Sequence, residues 1–385
     1  MPRNTRATFA MLCVGLAVFS CLYSTQAILP ELVSEVGLSS TAAALTVSAA
    51  TGALAVCVVP ASILSERFGR GRILLVSCLA ATLVGFAVPW ASSPALLIGL
   101  RAVQGALMAG APAVAMAWLS EELDARALPR AMGLYIAGTS IGGLMGRLIP
   151  SGLLELTSWR WALGGSALVS FLFAVAAGFL LPKQHNFTAK TLNPRREFAA
   201  MLEHWRTKEL GLLFLVALLA MGSFVSVYNF ISFRLIETFG LPQALVSFVF
   251  LLYLFGTWSS AQAGKLAAEH GRGTTLLGAC VLFGVGIALT LGPLVATIAG
   301  MLLLTVGFFA AHSTASGWVG AVANHDRAEA SSMYVFCYYF GSSVLGAFAG
   351  TLFGAFSWAT FVGFYVLVSV ILIAIAATLK RRAVG

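Results

Sequence analysis

The chain is a succession of apolar runs, each roughly 20 residues long, separated by short polar segments. About 20 residues of helix span the hydrocarbon core of a bilayer. A transmembrane β-barrel would instead give alternating segments of about 10 residues, and the sequence has no such alternation. The pattern predicts twelve transmembrane helices, at residues 8–30, 43–64, 73–90, 95–119, 130–153, 161–181, 210–235, 243–264, 274–292, 294–318, 329–352 and 356–379.

These runs form one pattern of six that is written twice. The polar segment Gly69-Arg70-Gly71, between runs two and three, recurs about 200 residues later as Gly271-Arg272-Gly273. The end of the first run, 31–38, corresponds in the same way to 234–241. A repeat of this kind predicts two pseudo-symmetric halves. We expect six-helix bundles at 1–181 and 210–385, joined by the hydrophilic linker 182–209.

Composition agrees with a membrane protein and excludes a soluble one. Charged residues make up 10% of the 385 residues and apolar residues 59%, whereas soluble domains average about 25% charged. With the N-terminus inside, all but four of the 23 lysines and arginines lie on the cytoplasmic side. We therefore expect both termini in the cytoplasm and an uncleaved first helix, since the first run is longer than that of a signal peptide.

The same bias accounts for the net charge of +9, so the charge indicates no nucleic-acid partner. All six cysteines lie inside apolar runs without metal-ligand spacing, and we interpret them as packing residues. We expect no metal and no cofactor. The sequence contains no G-x-x-x-x-G-K-[ST] phosphate loop and no soluble catalytic domain, which argues against an ATP-driven pump and against an enzyme.

Three ionisable residues lie well inside the predicted spans: Arg101, Arg147 and His312. Such groups are costly in a bilayer unless they are paired or hydrated, which makes them functional candidates. Arg101 either orients substrate or bonds neighbouring carbonyls, and Arg147 either faces substrate or packs against the eighth span. Two arginines at one depth favour a substrate with an anionic or strongly polar end. His312 either carries a proton or is a neutral, hydrogen-bonded histidine.

No Asp or Glu lies deep in a span, although proton exchange inside a membrane needs a group whose pKa burial can raise. Any proton exchange would then depend on Glu31, on His312 or on a substrate proton linked to an arginine, or would not occur. Glu31 and Arg234 occupy repeat-related positions at the outer ends of spans one and seven. We predict that they form an ion pair that closes the outer mouth; the alternative is two solvated charges.

Polar and aromatic residues in the central spans predict a cavity for amphipathic ligands. The candidate lining residues are Tyr23, Gln26, Tyr228, Asn229, Tyr338 and Tyr339. Glycines spaced four apart also form one face of the fifth and of the eleventh span, which indicates either tight packing or surfaces that slide. These rows are Gly138, Gly142 and Gly146, and Gly346, Gly350 and Gly354.

The loop between spans two and three resembles the G-x-L-a-D-R-x-G-R-[RK] signature of the major facilitator superfamily, through Leu64, Arg67, Gly69 and Arg70. Glu66 stands where Asp is usual. The resemblance implies that Glu66 approaches the start of span eleven, while Arg67 and Arg70 bridge neighbouring loops. These contacts, with Arg272 as the repeat equivalent of Arg70, would hold the inner side shut in the outward-open state.

Two further motifs are similar to the family's drug–proton antiporter branch. Arg101 to Gly105 matches its R-x-x-Q-G element, which includes Gln104, and the glycines of span five lie where its antiporter signature lies. That signature ends in Gly-Pro, whereas Gly146 is followed here by Arg147. This variant resembles the YnfM-like group of bacterial inner-membrane transport proteins, as do Tyr228-Asn229, His312-Ser313 and Tyr338-Tyr339.

The resemblance implies a monomeric secondary transporter of the bacterial inner membrane that works by alternating access. Its leading function would be proton-coupled export of small amphipathic compounds. The alternative is transport of a polar or anionic metabolite, such as an organic acid or sugar derivative, with Arg101 and Arg147 as ligands. A non-transporting sensor or scaffold is a further class, against which the repeated loop argues. The expected partners are a small-molecule substrate, protons and the lipid bilayer.

Overall fold

The computed structural model describes residues 1–124, 126–187, 189 and 194–384, and the described chain is built from α-helices. The first half contains eight helices. They are α1 (Arg3–Leu22), α2 (Leu29–Ser34), α3 (Ser40–Phe68), α4 (Arg70–Ala87), α5 (Pro94–Met108), α6 (Gly110–Glu122), α7 (Leu128–Leu154) and α8 (Trp159–Leu180).

The second half begins with a short amphipathic helix inside the predicted linker and then returns to long apolar helices. The elements are α9 (Pro194–Glu203), α10 (Lys208–Glu237), α11 (Gln243–Ser247), α12 (Tyr253–His270), α13 (Arg272–Leu289), α14 (Leu294–Val322), α15 (Arg327–Ala355) and α16 (Trp358–Val384). Eleven segments of the described residues are long and apolar enough to cross a membrane, and they correspond to eleven of the twelve predicted spans. The remaining predicted span, the fifth, is the 27-residue helix α7, which contains Arg130 and Arg147.

A proline lies at or just after the break in two of the predicted spans, whereas the eighth span, 243–264, divides into α11 and α12 without a proline inside it. Pro112 has no N–H to donate to the carbonyl of Met108, and the fourth span breaks at Ala109, between α5 and α6. Pro30 lies in the first turn of α2, after the break that separates it from α1. These interruptions leave backbone carbonyls inside the membrane that other groups must satisfy.

The chain forms two compact units. Unit 1 consists of Met1–Leu38 and Ala49–Pro194, and unit 2 consists of Ser39–Ser48 and Arg195–Gly385. The residues at the start of α3 therefore group with the second half of the chain. The sequence repeat alone does not predict this grouping of residues 39–48 with the second half, because it assigns each whole span to one half.

The repeat is visible in the backbone. Gly37 and Gly240 end the hairpins after spans one and seven with φ of 73° and 67°. Gly69 and Gly271 begin the helices α4 and α13 with φ of 97° and 82°. Side chains disfavour this left-handed region, which explains why glycine occupies each position. Every described glycine with positive φ thus belongs to one of two repeat-related pairs.

The two glycine rows pack against different partners. On α7, a Cβ added at Gly142 would lie 2.7 Å from the carbonyl oxygen of Gly15, so the row holds α7 directly against the backbone of α1 inside unit 1. On α15, a Cβ at Gly350 would lie 2.7 Å from the Cα of Thr41 at the start of α3. Close backbone packing explains both rows, as small residues allow in membranes.

Candidate functional site

Arg101 caps the carboxyl end of α1. Its side chain is fully buried and donates from Nη1 to the carbonyl of Cys21 at 3.0 Å and from Nη2 to the carbonyl of Leu22. Because α1 ends at Leu22, these carbonyls lack partners within the helix, and the carboxyl end of the helix dipole is negative. The carbonyl of Cys21 also accepts from the hydroxyl and the N–H of Ser24, at 3.0 and 3.5 Å. The guanidinium therefore donates hydrogen bonds to these carbonyls and places a positive charge at the negative end of the helix dipole.

Gln104, one turn after Arg101, orients this cap. Its Oε1 accepts from Arg101 Nη1, while its Nε2 lies 2.7 Å from Cys21 Sγ and donates to the carbonyl of Ala81 at 3.1 Å. A buried cavity of about 10 Å³ adjoins Gln104, Ser24 and Ser166. A polar space of this size suits a single water molecule.

Arg147 lies in a second cluster that brings three predicted residues together. Its guanidinium lies 4.1 Å from the ring centroid of Tyr23, and its Nε donates to Gln26 Oε1 at 2.7 Å. Nη1 donates to the carbonyl of Gly143, where a Cβ would come within 3.3 Å of that nitrogen. Gly143 therefore leaves the space that the guanidinium fills, and Arg147 is 1% exposed.

Unit 2 contains a cluster of aromatic rings around Tyr228. Phe224 stacks on Phe308 with ring centroids 3.9 Å apart, and Tyr228 lies edge-on to Tyr253 at 5.0 Å. The hydroxyl of Tyr228 shares a hydrogen bond of 2.6 Å with Thr305 of α14. Asn229, the next residue on α10, is fully buried.

His312 continues this cluster toward α15. Its ring is stacked with Phe308 and lies 4.6 Å from the ring of Tyr338. Nδ1 is 3.0 Å from the hydroxyl of Tyr334, and the same hydroxyl donates to the His312 carbonyl at 3.3 Å. His312 and Tyr338 are half-buried, whereas Tyr339 is buried beside Tyr338. The aromatic cluster thus has a partly open face that carries a titratable ring.

The residues predicted to close the outer mouth lie in different units. Glu31 is half-buried in α2, one turn before Glu35. Arg234 donates to the carbonyls of Leu291 and Gly292 at 3.3 Å each. Its guanidinium also lies 5.4 Å from the ring centroid of Trp358. The ion pair between Glu31 and Arg234 stays a prediction.

At the predicted inner loop, Arg70 links the start of α4, where it lies, to the ends of α3 and α6. Its Nε donates to Glu121 at the end of α6 at 2.6 Å, and its Nη2 donates to Glu66 at the end of α3 at 3.4 Å. Arg67 and Arg272 are exposed. The contact with the start of span eleven, predicted for Glu66, stays a prediction.

A buried carboxylate next to Glu121 attaches the start of the linker to unit 1. Glu122 accepts from the guanidinium of Arg3 and from the backbone N–H groups of His185, at 3.0 Å, and Asn186, at 2.8 Å. Gln184 Oε1 accepts from the N–H of Gly71 at 3.1 Å. These bonds tie residues 184–186 to the ends of two spans.

The adjoining loop adds one more link to the start of α1. The backbone N–H of Ala127 and the side-chain amide of Asn4 both donate to Asp124, at 2.9 and 2.8 Å. These hydrogen bonds hold the pKa of the Asp124 carboxyl below its ordinary value, because they stabilise the charged form. Asp124 therefore stays ionised at neutral pH.

Sequence reasoning missed Tyr334, Thr305 and Glu122. Tyr334 precedes Tyr338 by four residues and so shares its helix face, a spacing that could have indicated it. Thr305 meets Tyr228 across two helices distant in sequence. Glu122 was one of several charges at the end of a span. For both, the decisive information is which helices are neighbours.

Comparison with known proteins identifies the family. The Major Facilitator Superfamily model matches residues 8–343. The inner membrane transport protein YnfM of Escherichia coli (strain K12) is 37% identical over 388 aligned residues, which cover 99% of this chain and 92% of the relative. The MFS-type transporter YybF of Bacillus subtilis (strain 168) is 36% identical over 364 residues, with coverage of 94% and 90%.

The fold has solved counterparts. The crystal structure of a bacterial homolog of the human lysosomal transporter Spinster gives a TM-score of 0.79 at 15% identity, covering 100% of this chain and 97% of the other. At that identity the likeness speaks for the fold alone. With a family model that matches most of its length and two relatives above 30% identity, this multi-pass membrane chain belongs to the major facilitator superfamily of secondary transporters.

Proposed function

We propose that this transporter exports small amphipathic compounds in exchange for protons, by alternating access. The observation that carries the substrate class is the aromatic cluster of unit 2, whose partly open face includes His312 and Tyr338. Rings supply large apolar contact, and the hydroxyl groups supply a few directed hydrogen bonds. That mixture suits a compound with an apolar ring system and a polar end.

His312 is the group that we assign to proton exchange. The hydroxyl of Tyr334 lies within hydrogen-bond distance of both Nδ1 and the carbonyl of His312. When the ring is neutral, the hydroxyl can donate to Nδ1. When Nδ1 is protonated, the hydroxyl can accept from it and donate to the carbonyl instead. One tyrosine therefore serves both protonation states without moving, and this supports a histidine where other transporters use a carboxylate.

The second candidate is a polar or anionic metabolite bound by Arg101 and Arg147. Two fully buried cations in one unit favour an anionic ligand. Against it stand the hydrogen bonds that both side chains make within the fold. Arg101 donates to two carbonyls at the end of α1, and Arg147 donates to Gln26 and Gly143. Donors engaged in the fold are less available to a substrate, so we rank this candidate second.

The test uses purified protein in liposomes with a pH-sensitive dye and an imposed proton gradient. Lipophilic cations, organic acids and sugars are added one class at a time. We expect ring-containing amphipathic compounds to release protons in the wild type, and H312Q to reduce that signal at least tenfold. The matched control is H270Q, because His270 is an exposed histidine in the same unit.

The two candidates give different results. Proton release that only organic acids trigger, and that R147Q but not H312Q abolishes, would select the anionic metabolite instead. If labelled substrate crosses the membrane with no proton movement, the proposal of proton coupling is wrong, but the protein is still a transporter of that substrate. Equal signals from H312Q and H270Q would remove His312 from the mechanism.

A further inference from the structure

A groove with positive charge lies where the start of α1, the end of α8 and the first linker residues meet. Its volume is about 640 Å³, and it is lined by Arg3, Arg6, Phe179, Lys183 and His185 together with small and apolar residues. All of these belong to unit 1. The groove lies at the start of α1, whereas the clusters of Arg101 and Arg147 lie at its end, and it takes no part in the function proposed above.

The charges in this groove are only partly compensated. Arg3 is paired with the buried carboxylate of Glu122. Arg6 donates from Nη2 to the carbonyl of Phe179 at 3.0 Å, a bond that fixes its position at the end of α8 without neutralising it. Lys183 is exposed. Among the described residues that line the groove there is no carboxylate, so Arg6 and Lys183 present two cations to whatever enters.

The position of the groove indicates what enters it. Phe179 is in the last turn of a span that is predicted to cross the bilayer, and its ring is 80% exposed. The span ends at Leu180, and lysine and arginine side chains near span ends reach the level of the lipid headgroups. The two cations are therefore at the depth of lipid phosphates, and an apolar ring lies directly beside them.

We propose that this groove binds the phosphate of an anionic phospholipid, with Arg6 and Lys183 as its ligands and an acyl chain against Phe179. Basic pockets between transmembrane helices at the headgroup level suit such lipids. A guanidinium can hold two phosphate oxygens at once, and a lysine adds a point charge. The lipid would bridge α1 and the linker at the point where Glu122 already holds residues 185 and 186.

The experiment measures how lipids stabilise the purified full-length protein in detergent. Thermal unfolding is followed while phosphatidylglycerol or phosphatidylcholine is titrated. We expect phosphatidylglycerol to raise the unfolding temperature of the wild type, with at least tenfold more lipid needed for half-maximal effect in R6Q/K183Q. K265Q/R381Q is the matched control, because it removes two exposed cations from span ends of unit 2 and should respond as the wild type does.

Single K183Q guards against a trivial loss of folding, since no described hydrogen bond depends on its side chain. We expect it to need at least threefold more phosphatidylglycerol while its unfolding temperature without lipid equals that of the wild type. Equal protection by phosphatidylcholine would overturn the site. So would an equal increase in the phosphatidylglycerol that K265Q/R381Q needs for half-maximal effect. Protection by inorganic phosphate or glycerophosphoglycerol at the same concentrations would show a free anion site and overturn the lipid as occupant.

Discussion

At the residue scale, the buried arginines show how a break in one helix determines the role of a side chain in another. Arg101 was a candidate because a charge inside a span is costly. Its contacts follow from the end of α1 at Leu22, which leaves two carbonyls to be satisfied inside the membrane. The sequence could indicate the arginine but not the carbonyls, because nothing in residues 21–23 is a strong helix-breaking signal.

This capping role predicts the effect of removing the guanidinium. R101M should lower the free energy of unfolding by about 1–3 kcal/mol, since the buried carbonyl of Leu22 loses its donor while that of Cys21 keeps only Ser24. R101K should lose less, because one amine can still reach the Leu22 carbonyl. The measurement is thermal or chemical unfolding of the detergent-purified protein, with R160M as control, since Arg160 is exposed near the end of a span. Wild-type stability of R101M would reject the cap and leave a purely functional arginine.

At the element scale, the number and order of the spans follow from hydropathy, and the interruption of the fourth span follows from Pro112. The length of the apolar runs predicted α3, α8 and α14 to within a few residues. Hydropathy does not predict which neighbouring helix each helix face contacts. The two glycine rows look alike in sequence, yet one packs on α1 and the other on the start of α3. Spacing indicates a close approach but does not name the partner.

The close packing of α7 on α1 predicts opposite outcomes for two glycines of the same helix. G142A should destabilise unit 1 by about 1–3 kcal/mol, because its Cβ would lie 2.7 Å from the carbonyl oxygen of Gly15. G133A should be neutral or stabilising, since a Cβ there meets no atom within 4 Å and alanine favours helix. Unfolding temperatures of both variants test this, and an equal change in the two would contradict the packing.

At the scale of the whole molecule, the connection between the two halves is more structured than a hydrophilic linker suggests. The composition of 182–209 predicts a hydrophilic linker between the halves, and its first residues bond to unit 1. Glu122, at the end of α6, accepts from two of their N–H groups. Bonds to Glu122 and to Gly71 thus attach the first linker residues to unit 1.

Removing that carboxylate's charge should therefore release the start of the linker. Glu122→Gln keeps the side chain's size but weakens the bonds to Arg3, His185 and Asn186, because charged acceptors bind N–H groups more strongly than neutral ones. We expect trypsin to cut after Lys183 at least threefold faster in this variant, because a protease needs a detached backbone. Glu203→Gln, at an exposed site in α9, should leave the rate unchanged. Equal cleavage rates in wild type and Glu122→Gln would mean that Gln184, through its bond to Gly71, holds the linker without help from Glu122.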